Sequence, residues 1–172
     1  PNIVPVLFLT LGFGIIGFLD DYLKVVLRRS DGLLPKQKMA CQLIVTTIFL
    51  AYILIVDNSF LTILIPFSGG QYFDCKWITV PLLYVAVLGT VNGVNFTDGL
   101  DGLATGVTTM VAVFFTIASL VFGGGIQPIT AAATGALLGF LLFNVHPAQV
   151  FMGDTGSLAL GGFVAGSAYI LK

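Results

Sequence analysis

Leu103-Ala-Thr-Gly-Val-Thr-Thr-Met-Val-Ala-Val-Phe-Phe-Thr-Ile-Ala-Ser-Leu-Val-Phe122 runs for 20 residues without a charged side chain. Crossing ~30 Å of hydrocarbon as a helix takes about 20 largely apolar residues, so this stretch directs the chain to a bilayer. Five further runs approach that length around it: Val4–Leu19, Met39–Val56, Ile78–Val94, Thr130–Val145 and Leu158–Leu171. None alternates strictly over ten-residue segments, which disfavours a membrane β-barrel. The expected fold is all-α: a polytopic transmembrane helix bundle with about six spans, one transmembrane domain over residues 1–172. Composition agrees. Of 172 residues 57% are apolar and 9% charged, and mean hydropathy is +1.04. Fifteen Phe exclude a disordered chain, and seven Lys+Arg against eight acids leave no basic surface for nucleic acid.

Orientation follows from positive charge. Lys24, Arg28, Arg29, Lys36 and Lys38 are five of the seven basic residues, and the positive-inside rule puts their segment, about residues 20–38, in the cytoplasm. Counting spans then places Asn95–Gly102 and Pro147–Ser157 inside, and Asp57–Trp77 and Gly123–Ile129 outside. Tyr72, Phe73 and Trp77 fall where an outer aromatic belt is expected, and Leu61–Phe67 suits the interface. All eight acids are Asp. Asp20, Asp21, Asp31, Asp98, Asp101 and Asp154 land at cytoplasmic ends of spans; Asp57 and Asp74 do not. Ionisable groups at membrane depth cost ~2.5–3.5 kcal/mol each, so such clustering marks a site. Cys41 and Cys75 suggest no disulfide framework. The chain opens on Pro1 with no basic n-region and cleavage site, and is read as a segment of a longer membrane protein.

Three clusters carry the polar chemistry. In Asp20-Asp21-Tyr22-Leu23-Lys24, Lys24 shares a helix face with both acids, either as a solvated helix end or as a carboxylate pair beside a cation. In Asn92-Gly-Val-Asn95-Phe-Thr-Asp98-Gly-Leu-Asp101, the residues Asn95, Asp98 and Asp101 recur every three positions, so on a helical turn their oxygens point the same way. Capping of the next span by Thr97 or Asp98 is the plainer alternative. The third cluster, from Asn144 through His146 and Phe151 to Gly153-Asp154-Thr155-Gly156-Ser157, opens a helix whose N–H groups suit an anion while Asp154 suits a cation. Its plain alternative is an N-cap at Asp154 or Ser157. His146, the single histidine, is read as structural. The pairs Gly89/Gly93, Gly102/Gly106, Gly135/Gly139 and Gly162/Gly166 predict close helix packing.

Asp oxygens without Glu or a Cys pair favour a hard, oxygen-ligated cation over zinc, and Mg2+ typically joins one or two carboxylates to substrate phosphates. Nearby lysines pair with phosphate as point charges. Magnesium and phosphate at a cytoplasmic face suggest phosphoryl transfer to or from a lipid, where the protein supplies positioning and charge neutralisation.

The segments Leu19-Asp20-Asp21-Tyr22-Leu23-Lys24, Asn95-Phe-Thr-Asp98-Gly-Leu-Asp101-Gly-Leu-Ala and Phe151-Met-Gly-Asp154-Thr-Gly-Ser-Leu-Ala-Leu-Gly resemble, in order, the phospho-N-acetylmuramoyl-pentapeptide transferase family. That family belongs to the polyprenyl-phosphate N-acetylhexosamine-1-phosphate transferase superfamily. Gly32-Leu-Leu-Pro-Lys36-Gln-Lys38-Met39 is similar to the family's basic first-loop segment. The resemblance implies about ten spans in the whole protein, of which this chain is the middle portion, between a cytoplasmic Lys before it and a His-rich loop after it. It implies transfer of phospho-MurNAc-pentapeptide from UDP-MurNAc-pentapeptide to undecaprenyl phosphate, giving lipid I and UMP at the cytoplasmic face of the bacterial inner membrane. By the same resemblance Asp154 binds Mg2+, and Asp20, Asp21 and Asp98 are active-site acids. Lys24 and Lys36 become basic residues of the cleft and Phe151 a uracil-stacking aromatic. Asn95, Asp101, Asn144 and Gly153 become substrate-binding positions. Beside the resemblance, a homodimer and a monomer both stay open as the assembly.

The resemblance suggests Asp20 as a base. A phosphate monoester with a second pKa of ~6 is mostly dianionic near neutrality, however, and an ordinary carboxylate of pKa ~3.9 is a weak base there. Asp20 is therefore expected to orient phosphate and metal more than to remove a proton. Three alternatives stand beside this reading. A polyprenyl-phosphate GlcNAc-1-phosphate transferase more often carries Ala after the Asp at position 154. An intramembrane prenyltransferase leaves the third cluster and Asp20-Asp21 unexplained. A cation-coupled transporter predicts acids near the midplane rather than at one face.

Overall fold

The computed structural model describes residues 3–28, 32–56, 62–64, 72–74 and 76–171. Arg29, Asp31, Asp57, Cys75, most of Leu61–Phe67 and the side chains of Tyr72, Phe73 and Asp74 lie outside the described residues. Helices α1 (Ile3–Val25), α2 (Pro35–Val56), α3 (Thr79–Thr97), α4 (Leu103–Phe122), α5 (Gln127–Asn144) and α6 (Gly153–Ile170) form the bundle. Between α2 and α3, β1 (Thr62–Leu64) pairs antiparallel with β2 (Tyr72–Asp74), with Ile63 opposite Phe73. A single turn of 3-10 helix, Lys76–Ile78, leads into α3 and leaves Trp77 exposed.

Helices α1 to α5 are long and apolar enough to cross a membrane. The expected sixth span is present as α6, 18 residues long, but is less apolar because its first turn is polar and it is rich in Gly and Ser. It sits at the centre of the bundle, packed along α1 and also against α3 and α4. Its small residues make that position possible. A Cβ on Gly162 would strike the Leu9 carbonyl of α1, one on Gly166 would lie 2.8 Å from the Val6 Cα, and one on Gly161 2.5 Å from the Val91 Cα of α3. Gly17 of α1 meets the Asp154–Thr155 backbone of α6 as closely. The expectation from glycine pairs therefore holds for Gly162/Gly166 alone. Gly89, Gly93, Gly106, Gly135 and Gly139 meet no described atom within 4 Å, and Gly102 serves a turn.

Periodicity explains the core. Val6, Leu9, Phe13 and Ile16 recur at helical spacing on α1 and are buried, while Leu11, Ile15 and Phe18 face outward, as a lipid-facing surface requires. Phe13 joins Phe49 and Ile53 of α2, Val87 and Val91 of α3, and Leu158 of α6 in one cluster. A second cluster unites Val6, Ala112, Ile126, Leu137 and Phe163.

Several boundaries move. Helix α1 runs six residues past Leu19, α3 continues through Asn95 to Thr97, and α6 begins five residues before Leu158. Asp20, Asp21, Lys24, Asn95 and Asp154 thus sit on helix ends rather than in loops. The C-terminal ends of α1 and α3 meet the N-terminal ends of α2 and α6.

Candidate active site

The buried stripe of α1 continues one turn past Ile16 and Gly17 to Asp20, which is only 2% exposed. Its Oδ2 pairs with Lys24 Nζ at 2.5 Å, and its Oδ1 accepts from the Leu33 N–H at 2.6 Å. Lys24 also donates to Asp154 Oδ2 at 2.7 Å, so one ammonium bridges acids from α1 and α6. Lys38 Nζ approaches the same Asp154 oxygen at 3.4 Å from α2. Across α3, Asn95 Nδ2 donates to Asp154 Oδ1 at 2.6 Å and to Ser157 Oγ at 2.8 Å. Four helices converge on Asp154.

Asp21 does something different. Its Oδ1 accepts from the Asp154 N–H at 3.2 Å, and its Oδ2 accepts from the Thr155 N–H at 2.8 Å and the Thr155 hydroxyl at 2.6 Å. The first N–H groups of a helix lack intrahelical partners and favour negative charge. Neither Asp154 nor Ser157 caps α6: the residue preceding it, Met152, makes no side-chain cap bond, and Asp21 supplies the carboxylate from another helix. Gly153 turns the chain into α6 at φ +66°, and a Cβ there would lie 2.8 Å from Asp21 Oδ2. Carboxylate oxygens of Asp20, Asp21 and Asp154 lie within 4.8 Å of one another, a spacing that suits a cation.

The second cluster divides. Helix α3 ends at Thr97, so Asn95, Asp98 and Asp101 do not share one helical face. Asp98 follows the helix and stays near the acids; burial pushes its carboxyl pKa above the ordinary range, and the charges of Asp154 and Asp21 add to this. Asp101 points elsewhere. Its Oδ2 accepts from the Ala148 N–H at 3.1 Å and contacts His146 Nδ1 at 3.0 Å, and both hold its pKa below the ordinary value.

His146 thus ties Asp101 to the 145–152 segment, in keeping with a structural histidine. Asn144, at the end of α5, is buried: it accepts from Thr105 Oγ1 at 2.6 Å and donates to the Val150 carbonyl at 2.9 Å. Next to Val150, Phe151 is 73% exposed. The segment therefore presents an aromatic face beside a cluster of acids.

The profile of glycosyl transferase family 4 matches residues 3–172. The chain belongs to that family. It is 47% identical over 174 residues to the phospho-N-acetylmuramoyl-pentapeptide-transferase of Acetivibrio thermocellus, covering 99% of this chain and 52% of that protein. To the proteins of the same name from Desulforamulus reducens and Bacillus subtilis it is 48% and 45% identical, over 97% and 100% of this chain and 51% and 53% of theirs. It spans about half the length of these relatives.

Within this glycosyl transferase family 4 chain, Asp20, Asp21, Lys24, Asn95, Gly153 and Asp154 come together, with Asp98 beside them. Lys36 does not join them: it is exposed and forms no ion pair among the described residues. Lys38 takes that position instead, because residues two apart lie on nearly opposite sides of a helix. The buried face of α2 runs through Gln42, Thr46, Phe49 and Ile53, and one turn back from Gln42 is Lys38.

Proposed function

We propose that this chain carries active-site acids of a phospho-sugar transferase that moves phospho-MurNAc-pentapeptide from UDP-MurNAc-pentapeptide to undecaprenyl phosphate. An oxygen of the lipid phosphate bonds to the sugar-linked phosphorus, the bond from that phosphorus to the UMP phosphate breaks, and lipid I and UMP result. The observation that carries this reading is Asp154, held between two lysines and an asparagine and within 4.8 Å of Asp20 and Asp21. The relatives' names supply the transferred group, phospho-N-acetylmuramoyl-pentapeptide.

The donor set contains only carboxylate oxygens, which suits Mg2+. Asp154 would hold it, with Asp20 beside it, whereas both oxygens of Asp21 already serve α6. When bound, the ion would offset diphosphate charge and stabilise the departing UMP oxygen. Lys24 and Lys38 then face phosphate oxygens as point charges. Buried Asp20, anchored by the Leu33 N–H, holds Lys24 in place and orients the acceptor phosphate, which needs no base near neutrality. Asp21 and Gly153 fix the start of α6, and Phe151 stacks on uracil. This arrangement faces the cytoplasm, where the basic α1–α2 connection belongs.

The test uses the protein in its full natural length, in detergent with undecaprenyl phosphate and Mg2+. UMP release from UDP-MurNAc-pentapeptide, absent with UDP-GlcNAc and lost in Asp154→Asn, is expected. Release from UDP-GlcNAc alone would move the donor to a GlcNAc-1-phosphate transferase, and release from neither would overturn the reaction.

A further inference from the structure

One polar contact inside the bundle plays no part in the chemistry above. Gln42 of α2 is fully buried, an amide one turn into the helix from Lys38. Its partner is Asn92 of α3. Gln42 Nε2 donates to Asn92 Oδ1 at 3.2 Å, and Asn92 Nδ2 donates back to Gln42 Oε1 at 2.8 Å and to the Leu88 carbonyl at 2.8 Å. Each amide satisfies the other, so the pair holds only in one register of the two helices. A slip of either helix would leave the fully buried Gln42 amide unpaired, where no water replaces the bond.

The position of this pair gives it a further consequence. Gln42 lies four residues from Lys38 on α2, and Asn92 three residues from Asn95 on α3, so each amide shares a helix face with a residue that touches Asp154. Those two residues grip opposite oxygens of the carboxylate: Lys38 approaches Oδ2 and Asn95 donates to Oδ1. The Thr47 and Tyr84 hydroxyls also meet at 2.7 Å between α2 and α3, but this is a single exposed bond between rotatable hydroxyls, and Leu, Ile and Val packing accepts small slips that a two-way amide pair does not.

We infer that Gln42 and Asn92 are positioning residues: their reciprocal amide pair sets the register of α2 against α3 and thereby holds Lys38 and Asn95 on the two oxygens of Asp154. This rests on the reading of Asp154 as the cation-binding acid. With the pair broken, α2 and α3 lose their register, Asn95 no longer aligns the Asp154 carboxylate through Oδ1, and cation binding weakens although neither amide touches the ion; Lys38, itself a cation, is positioned for phosphate rather than for the ion.

The experiment is an electron paramagnetic resonance titration of Mn2+ on the full-length protein, which needs no turnover. Gln42→Met keeps volume and removes the amide, Asn92→Leu does the same from α3, and the swap Gln42→Asn with Asn92→Gln rebuilds the pair with its lengths exchanged. At least fivefold weaker Mn2+ binding is expected in each single variant, with return to within twofold of wild type in the swap. Binding unchanged in the single variants would overturn the inference, as would a swap that melts like wild type and binds as weakly as they do. If the apolar variants do not fold, Gln42→Asn decides on the same criterion, since it keeps the amide and shortens its reach. Wild-type protein that binds Mn2+ tightly but releases no UMP would sink the proposed reaction and leave the clamp standing.

Discussion

Asp154 and Phe151 are three residues apart, and the bundle presents them by opposite means. Asp154 is held by charge: Lys24 and Lys38 lie on one oxygen, Asn95 on the other, and the Asp21 carboxylate caps the helix that carries it. Phe151 has no charged partner of its own: the segment behind it is tied by the Thr105 hydroxyl, the Asn144 amide and the Val150 carbonyl on one side, and by Asp101 through Ala148 and His146 on the other. The first arrangement crowds ions on four helix ends, with α6 packed backbone to backbone against α1 and α3. The second leaves an aromatic ring in the open on a segment pinned from behind. A site for phosphate and metal needs preorganised charge, whereas a face for a flat base needs exposure and a fixed backbone, and one turn of chain supplies both.

The difference is most sharply tested at the glycines. Gly17→Leu drives a side chain into the Asp154–Thr155 backbone and is expected to abolish UMP release, with a large drop in melting temperature. Gly135→Ala, on the α5 side where nothing lies within 4 Å, is expected to leave both unchanged. Equal effects at the two positions would erase the distinction between the regions.

Next in size is Phe151→Ala. Stacking of a base on an aromatic ring is worth ~1–3 kcal/mol, so the KM for the uridine nucleotide is expected to rise roughly 5- to 150-fold with melting unchanged. A fall in kcat at constant KM would place the ring outside the nucleoside site.

Asp21→Ala removes the cap of α6 and is expected to lower stability by about 1–2 kcal/mol in denaturant unfolding. No change would mean the carboxylate is free for other work.

The smallest effects come from pH. The pKa of Asp98 is raised by burial and by neighbouring acids, so the folded state holds its proton more tightly than the unfolded chain does. Stability from this group falls as pH rises from the ordinary carboxyl value through the raised one. Asp98→Asn is therefore expected to melt higher than wild type at neutral pH, with the gain vanishing in acid. Asp101 has the opposite sign. Its pKa is lowered, so its contribution is full above the ordinary value and is lost as pH falls through the lowered one. Asp101→Asn is expected to melt slightly lower at neutral pH and to converge with wild type in acid.

How much of this the sequence carries depends on the range of the signal. Apolar runs and basic residues are local patterns, and they give the helices α1 to α5 and the convergence of acids at one end. Asp20 and Lys24 share a helix face and are legible as a pair. The role of Asp21 is not, because a cap normally comes from the residue just before its own helix, and here it arrives from 133 residues away. The choice of Lys38 over Lys36 depends on helical phase, which is fixed only once the buried face of α2 is known. The expected common face of Asn95, Asp98 and Asp101 fails for a related reason. Helix α3 stops at Thr97, which ends the helical phase before Asp101, and the Asp101 carboxylate meets His146. Glycine pairs mark close packing only where a partner backbone lies opposite, which sequence spacing alone does not specify.

The central claim is that Asp154 and its neighbours hold a divalent cation at the meeting point of α1 and α6. Its most direct test is an anomalous-difference map of Mn2+-soaked crystals of the full-length protein. The account predicts a peak about 2.1–2.2 Å from an Asp154 carboxylate oxygen, with Lys24 displaced from that oxygen. A peak confined to other acids, with Lys24 still seated on Asp154, would contradict it.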